Sequence, residues 1–261
     1  MSSTQNKRIK YISELQNKSR ERKKSGLFVI EGQKELLMAI ESGYKIYEIY
    51  YNPEIITENE LNKIVAFLPS STLKFSINSQ VFSKIAYRES TGGIIAVAQQ
   101  KDHSISTAQL SDNPLILVTE AMEKPGNLGA LLRTADASNI TAVVVCDTKA
   151  DIYNPNVIRS SVGCMFSQQI IVSPSEEVIN WLKSSKIQIL CTALTASKAY
   201  HEIDYTKASA IVMGTEATGL TQTWLSNSDQ NIIIPMQGVN DSLNVSVCAA
   251  VVVFEAVRQR L

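Results

Sequence analysis

The chain has 261 residues, of which 44% are hydrophobic and 19% are charged, and its formal net charge at pH 7 is +0. This length accommodates one large or two ordinary domains, and the composition excludes an intrinsically disordered chain. Two histidines and four widely spaced cysteines argue against a zinc site. The segment MSSTQNKRIK lacks the apolar stretch of a signal peptide, and the longest apolar run, 247–254, is far shorter than the roughly 20 residues of a membrane span. We therefore expect a soluble, cytoplasmic protein without a metal ion.

Positive charge is concentrated at the N-terminus. Residues 1–24 hold eight lysines and arginines against two glutamates, and the rest of the chain carries the opposite excess. A segment of this kind suits contacts with the phosphates of a nucleic acid. It is equally typical of a solvated helix surface, so charge alone does not decide between the two.

The first hundred residues predict a small α/β domain. Hydrophobic periodicity and turn residues predict helices over 9–24, 32–43, 58–67 and 80–87, and strands over 27–30, 46–51 and 93–98. A polar, turn-rich segment follows at 99–114 and separates two apolar strands. We therefore divide the chain into a domain over 1–100, a linker over 101–113 and a second domain over 114–261.

The second domain alternates strands with helices. Its strands are predicted at 115–119, 142–146, 169–172, 188–193, 210–213 and 232–235. Most are continuous apolar runs, which is the pattern of a parallel sheet covered on both faces. The last segment, 243–261, predicts a helix that is buried on more than one side. No G-x-G-x-x-G, G-x-S-x-G or phosphate-binding loop follows a strand, so the sequence predicts neither a Rossmann cofactor site, a hydrolase nor a nucleotide triphosphatase.

Three short motifs follow strands of this domain: NLGALLR at 127–133, GTEATGL at 214–220 and PMQGVNDSLNVS at 235–246. Asn127 suits a helix N-cap, with Gly129 and Arg133 on one helix face. The second motif lies where open α/β sheets bind ligands, beyond the carboxyl end of a strand. In the third, Asn244 and Ser246 are expected to be buried and to need polar partners. Each motif taken alone also fits an ordinary capped helix or turn.

In this order and spacing, the three motifs resemble those of the SpoU (TrmH-like) RNA ribose methyltransferases of the knotted SPOUT class. The N-terminal residues 27–32 (LFVIEG), which follow a basic helix, are similar to the substrate-binding domain of many such enzymes. The resemblance implies an α/β fold with a small RNA-binding domain and a parallel-sheet domain that contains a deep trefoil knot. It also implies S-adenosylmethionine as cofactor, no metal, a homodimer and an RNA substrate, with rRNA favoured.

The resemblance also assigns residues to roles. The cofactor is expected near Met213, Gly214, Gly219, Ile234, Met236, Ser242 and Leu243. The catalytic group is expected to comprise Asn127, Arg133, Glu216, Ser242 and Asn244. RNA is expected to contact Lys18, Arg20, Arg22, Lys23, Lys24 and Arg133.

The chemistry expected of Arg133 leaves two alternatives open. The family assigns this arginine to the ribose hydroxyl, often as a base. Because a guanidinium is hard to deprotonate, we prefer a role in which it binds the neighbouring phosphate and stabilises the developing alkoxide. Competing functions are a tRNA 2′-O-methyltransferase, a base methyltransferase of the wider SPOUT class, and a non-catalytic RNA-binding or assembly factor that keeps the fold.

Overall fold

The computed structural model describes residues 1, 3–87, 92–196, 198–239 and 241–261, which divide into two units. The first unit comprises Met1–Lys101 and Asp151–Ser167, and the second comprises Asp102–Ala150 and Gln168–Leu261. Residues 151–167 therefore pack with the first unit, although they lie within the sequence assigned to the second domain. From residue 102 onward, the segment predicted as a linker belongs to the second unit, where the backbone N–H of Val172 donates to the carbonyl of His103 at 2.7 Å.

A four-stranded sheet forms the centre of the first unit within the described residues. Its order is β1 (Leu27–Glu31), β4 (Ile94–Gln99), β2 (Ile46–Tyr51) and β3 (Leu73–Ser76). Strand β4 is antiparallel to both of its neighbours, and β2 and β3 are parallel. The short edge strand β3 was not predicted, because residues 73–76 (LKFS) are mostly exposed and lack an apolar run.

Helices cover this sheet. They are α1 (Lys7–Asn17), α2 (Ser19–Ser25), α3 (Gln33–Glu41), α4 (Glu58–Val65), α5 (Ser79–Ile85), α7 (Pro155–Ser160) and α8 (Cys164–Ser167). The single basic helix predicted over 9–24 is wrong, since Lys18 is extended and separates α1 from α2. Helix α1 buries Ile9, Ile12 and Leu15 against the sheet, which explains its apolar periodicity.

An aromatic cluster joins residues 151–167 to the sheet of the first unit. The ring centroid of Phe28 lies 4.4 Å from that of Tyr153 and 6.1 Å from that of Phe166. Tyr44 contacts Phe166 edge-on at 5.1 Å. Aromatic pairs in these geometries add to the stabilisation from apolar burial. The segment is therefore part of the core of the first unit.

Arg22 is buried in this core, so its predicted contact with RNA is wrong. Its side chain is 2% exposed, and its Nε lies 2.6 Å from a carboxylate oxygen of Asp151. Its Nη1 donates to the carbonyls of Leu15 at 2.6 Å and Gln16 at 3.0 Å. A charge deep in a protein requires such partners, and a guanidinium with this many bonds is not available to phosphate.

Replacing Arg22 with alanine is expected to destabilise the protein by about 3 kcal/mol, because it leaves the carboxylate of Asp151 without its buried partner. Chemical denaturation followed by circular dichroism measures this loss. Arg20→Ala is the matched control, since Arg20 is exposed two residues away, and a change within about 0.5 kcal/mol is expected. Equal effects of the two substitutions would contradict a structural role for Arg22.

The second unit contains a seven-stranded sheet within the described residues, and all of its pairings are parallel. Its order is β7 (Ile170–Ser173), β6 (Ala142–Cys146), β5 (Leu115–Glu120), β10 (Ser209–Met213), β8 (Gln188–Thr192), β11 (Gln230–Ile233) and β9 (Lys198–Ala199). The prediction of a parallel sheet is confirmed. The central strands β5, β6 and β10 are buried along their whole length, as their continuous apolar runs indicate. The two-residue strand β9 was not predicted, and the knotted path stays a prediction.

Helices α6 (Pro125–Ser138), α9 (Ser175–Ser184), α10 (Gln222–Asn227) and α11 (Val245–Arg260) accompany this sheet. Helix α11 packs against α6 and buries Ala249, Val252 and Val253. Its opposite side is open, since Val247 is 47% and Phe254 48% exposed. Among the described helices, none is both long and apolar enough to cross a membrane.

Candidate active site

A cavity of about 640 Å³ opens at the carboxyl ends of the neighbouring strands β10, β8 and β11. Its walls come from the ends of these strands and the loops that follow them, at 192–195, 213–220, 232–236 and 242–245. In open parallel sheets, ligands bind in this position. The lining includes every residue predicted to hold the cofactor: Met213, Gly214, Gly219, Ile234, Met236, Ser242 and Leu243. Asn240, in the third motif, lies outside the described residues.

The second motif forms a closed loop whose shape depends on glycine. Thr215 and Gly219 exchange two backbone hydrogen bonds, both at 3.1 Å, so the chain turns back on itself. This return brings the backbone of Gly219 and Leu220 against Gly214. A Cβ at Gly214 would overlap those backbone atoms, which cannot move aside as a flexible side chain would. Gly214 is therefore required for one wall of the cavity to close.

Glu120 anchors the far end of this loop. It lies at the end of β5 and is buried, and its carboxylate accepts from the backbone N–H of Thr221 at 2.8 Å and from its hydroxyl at 2.6 Å. A charged acceptor with two donors is among the stronger hydrogen-bonded arrangements in proteins. Sequence reasoning missed Glu120, although an acidic residue directly after the apolar run LILVT was the available signal.

Three predicted site residues meet in one polar cluster beside the cavity. The amide Nδ2 of Asn127 lies 2.8 Å from Oε1 of Glu216, and the Nδ2 of Asn244 lies 2.7 Å from the same oxygen. The two asparagines also contact each other at 3.3 Å. The second carboxylate oxygen of Glu216 pairs with Lys124, which sequence reasoning did not select. One residue from each of the three motifs therefore contributes to the same hydrogen-bonded group.

The first turn of α6 positions Asn127, but this helix begins at a different residue from the one predicted. Helix α6 begins at Pro125 with Lys124 as its N-cap, so the assignment of Asn127 as the N-cap is wrong. Proline fits the first helical position because its fixed φ is helical and its missing N–H costs no bond there. As a result, the amide of Asn127 is free to bond with Glu216.

Asn244 is exposed, so the prediction that it is buried is wrong. Its Oδ1 caps α11 by accepting from the backbone N–H of Ser246 at 3.0 Å, and it also accepts from the hydroxyl of that serine at 2.6 Å. Its Nδ2 is left to reach Glu216. The Oδ1 of Asn244 therefore caps the helix, while its Nδ2 donates to Glu216 in the site.

Lys124 and Asn127 lower the pKa of Glu216, with the bond from Lys124 as the larger cause. Glu216 is thus held as a carboxylate at neutral pH. A group with a depressed pKa is a poor proton acceptor, because its charged form is the stabilised one. The bonds of Glu216 with Lys124, Asn127 and Asn244, together with this lowered pKa, favour an orienting role over the role of a general base.

Replacing Lys124 with methionine is expected to raise the pKa of Glu216 towards its ordinary value. Activity that requires the carboxylate will then be lost at a higher pH than in the wild type. The acidic limb of a plot of kcat/KM against pH measures this shift. Lys149→Met is the matched control, because Lys149 forms an exposed ion pair with Glu123 outside the cluster. Identical acidic limbs in both variants would contradict the coupling of Lys124 to Glu216.

The structure does not join Arg133 or Ser242 to this cluster. Arg133 is exposed on α6, and among the described residues its side chain has no ion pair or hydrogen bond. Ser242 lines the cavity and donates to Asp241 at 3.1 Å. Gly129 is buried on α6, the helix that packs against α11. An unpaired guanidinium close in sequence to the cluster can receive an anionic substrate group.

The other predicted RNA contacts lie in the first unit. Arg20, Lys23 and Lys24 are exposed on α2. Lys18 is exposed as well, and its Nζ lies 2.9 Å from a carboxylate oxygen of Glu14. Of the five cations predicted to contact RNA at 18–24, Arg22 is buried and the other four are accessible. Across the described ranges, no cluster of three or more histidine, cysteine or acidic residues could hold a metal.

Residues 114–254 match the model of the SpoU rRNA Methylase family, and residues 6–96 match that of the MRM3-like substrate binding domain. The chain belongs to the SpoU family. It is 30% identical over 252 residues to a 23S rRNA (guanosine(2553)-2′-O)-methyltransferase of Bacillus subtilis (strain 168), with 97% of this chain and 96% of that protein covered.

Solved structures agree with this assignment to the SpoU family. A crystal structure of an RNA 2′-O ribose methyltransferase is 35% identical, with a TM-score of 0.86 and coverage of 100% of this chain and 98% of that one. An AdoMet-bound rRNA methyltransferase from Sinorhizobium meliloti is 26% identical, with a TM-score of 0.91 and the same coverages. The predicted family is therefore confirmed, as is the α/β fold with a parallel-sheet domain and an N-terminal substrate-binding domain.

Proposed function

We propose that this protein transfers a methyl group from S-adenosylmethionine to a ribose 2′-hydroxyl of ribosomal RNA, and that it acts in the cytoplasm, where ribosomes are assembled. The observation that carries the proposal is the cavity at the ends of β8, β10 and β11, directly beside the cluster of Asn127, Glu216 and Asn244. A similar chain from Bacillus subtilis is named as a 23S rRNA 2′-O-methyltransferase. That name favours rRNA over tRNA, and the substrate-binding domain matched at 6–96 supplies a place for the RNA.

The cavity fits an adenosyl cofactor. Its volume lies within the range of small-molecule sites, and Met213, Leu220, Ile234 and Leu243 give it apolar walls suited to a flat base. The backbone of the Gly214–Gly219 loop supplies polar groups at one end. S-adenosylmethionine supplies the electrophilic methyl group of the reaction.

The protein residues must activate and align a poor nucleophile. Because a guanidinium is hard to deprotonate, Arg133 acts as a cation that stabilises the alkoxide developing on the ribose and holds the adjacent phosphate. With the hydroxyl made more acidic in this way, water takes its proton. Glu216, fixed by Asn127 and Asn244, orients the ribose or the guanidinium, since its depressed pKa disfavours proton uptake. Positioning of this kind is a large part of catalysis by enzymes.

The test is a map of ribose methylation in RNA from a strain that lacks this protein. One 2′-O-methyl group should disappear from rRNA, and the intact gene should restore it. Loss of a methyl group from tRNA instead would favour the competing tRNA function. No change in any RNA, together with a defect in ribosome assembly, would favour a non-catalytic factor.

We also propose that the protein is a homodimer that pairs through α11. Val247 and Phe254 are seven residues apart, so they lie on one helix face, and Leu243 continues that face before the helix begins. All three are at least 44% exposed. In a two-fold dimer, the same surface patch of each subunit is buried against its copy. The row of Leu243, Val247 and Phe254 forms an apolar patch of this kind.

Phe254→Glu is expected to convert the dimer into a monomer, because it places a charge within the apolar row that the interface would bury. Sedimentation velocity measures the change. Phe67→Glu is the matched control, since Phe67 is 67% exposed in the first unit, and its variant should keep the mass of the wild type. A wild-type protein that sediments as a monomer would refute the proposed dimer.

A further inference from the structure

A second cavity lies entirely within the first unit, whereas the site described above belongs to the second unit. Its volume is about 610 Å³, and it is lined by residues from α1 and from all four described strands of the sheet. The lining residues are Lys7, Arg8, Tyr11, Ser25, Leu27, Tyr47, Glu48, Ser71, Leu73, Val97 and Gln99. The volume is that of a typical small-ligand site, large enough for a planar ring system.

The floor of this cavity is apolar and aromatic. Leu27 and Val97 come from the adjacent strands β1 and β4, and Leu73 on the edge strand β3 is 46% exposed. The rings of Tyr11 and Tyr47 are only partly buried. The hydroxyl of Tyr47 donates to Oε1 of Gln99 at 2.9 Å, which fixes the ring against the sheet. An open apolar floor with two aromatic rings suits stacking of a flat group.

The charges around the floor are predominantly positive. Glu48 is neutralised within the cavity, since it accepts from Arg8 and from the hydroxyl of Tyr50. Lys7 lines the cavity, and the Nζ of Lys45 lies 4.8 Å from the ring centroid of Tyr47. Both lysines are exposed, and neither forms an ion pair with a described residue. A ligand that is flat and apolar at its centre but anionic at its edges complements this surface.

We infer that this cavity receives an unpaired base of the RNA substrate, with the flanking phosphates on Lys7 and Lys45. The inference rests on the proposed RNA methyltransferase function and adds a contact outside the basic helices. Proteins that bind single-stranded RNA combine cations along the backbone with aromatic rings on which bases stack. A base held in a duplex cannot enter, because both of its faces are already stacked, so the cavity selects single strands, loops or bulges.

The test uses the full-length protein and fluorescence anisotropy with two labelled probes, a 12-nucleotide oligouridylate and a 12-base-pair RNA duplex. Tyr47→Ala is expected to weaken oligouridylate binding by about five- to a hundredfold, the usual loss for one stacked base. Affinity for the duplex should not change. Tyr47→Phe keeps the ring but loses the bond to Gln99, so it should retain most of the oligouridylate affinity, which separates stacking from a general loss of structure.

Two control variants, a salt titration and a crosslinking experiment test the site of binding further. Phe67→Ala removes an exposed aromatic ring outside the cavity and should change neither affinity. Lys7→Ala should reduce the slope of log affinity against log salt by about 0.7 for the single strand, whereas Lys63→Ala, at an exposed site on α4, should not. Photocrosslinking of a 4-thiouridine oligonucleotide should label a peptide that contains Tyr11 or Tyr47.

Equal binding of oligouridylate by Tyr47→Ala and wild type, or crosslinks confined to other peptides, would overturn the inference and leave the cavity to a partner of another class. Calorimetric titration of the same preparations with S-adenosylmethionine reports on the other unit. A protein that binds oligouridylate through Tyr47 but does not bind the cofactor would refute the methyltransferase proposal alone. A protein that binds the cofactor but shows no effect at Tyr47 would refute this inference alone.

Discussion

Arg133→Ala is expected to lower the rate of methyl transfer by about 100- to 1000-fold while S-adenosylmethionine affinity stays within a few-fold. The loss corresponds to removal of one preorganised group that stabilises developing negative charge. Cofactor affinity should survive because Arg133 lies on α6, whereas the cavity is walled by the loops after β8, β10 and β11. Single-turnover transfer of a labelled methyl group to unmethylated rRNA measures the rate, and calorimetry measures the affinity.

Arg133→Lys separates charge from shape. A lysine keeps the positive charge but presents a single point donor instead of a planar fork, so it should recover little of the rate. Lys183→Ala, an exposed cation on α9 of the same unit, is the control and should be fully active. Full activity of Arg133→Lys would disprove the bidentate role, and equal loss of cofactor affinity in Arg133→Ala would place the arginine in the cofactor site.

Gly214→Ala is expected to lower S-adenosylmethionine affinity by at least about 100-fold or to prevent the second unit from folding. The added Cβ would overlap the backbone of Gly219 and Leu220, so the whole loop must shift. Overpacking against side chains costs about 1–3 kcal/mol, and a backbone obstacle yields less readily. Calorimetry gives the affinity, and thermal denaturation shows which of the two outcomes occurs.

Gly126→Ala is the control for this substitution. A Cβ at Gly126, in the first turn of α6, would meet nothing within 4 Å. Alanine favours a helix by up to about 1 kcal/mol over glycine, so this variant should be as stable as the wild type or slightly more stable. Unchanged cofactor affinity in Gly214→Ala would show that the loop is not a wall of the cofactor site.

The regular elements of the second unit could be predicted from the sequence because their signals are local. Strands such as 142–146 (AVVVC) are apolar throughout, and burial on both faces is what a parallel sheet requires. The position of the motifs after these strands also places Gly214 and Met236 at the same edge of the sheet. The cavity that they line follows from that shared edge.

The remaining features depend on contacts between residues that are distant in sequence. Arg22 and Asp151 are 129 residues apart, so a run of basic residues gave no sign that one of them is buried. The bonds of Glu216 with Asn127 and Asn244 likewise span three loops. The start of α6 was mispredicted because Pro125 is favoured at the first helical position and Asn127 is favoured as an N-cap. Local preferences alone did not decide between these two starts.

The return of residues 151–167 to the first unit has a consequence for biosynthesis. A ribosome that has released residues 1–101 has produced every strand of the first sheet, yet Phe28 still lacks Tyr153 and Phe166, and Arg22 still lacks its carboxylate. That unit cannot close its core until β5, α6 and β6 have also been synthesised. The first unit therefore completes its core only after part of the second unit has been synthesised, and not before the next domain begins, as independent N-terminal domains commonly do.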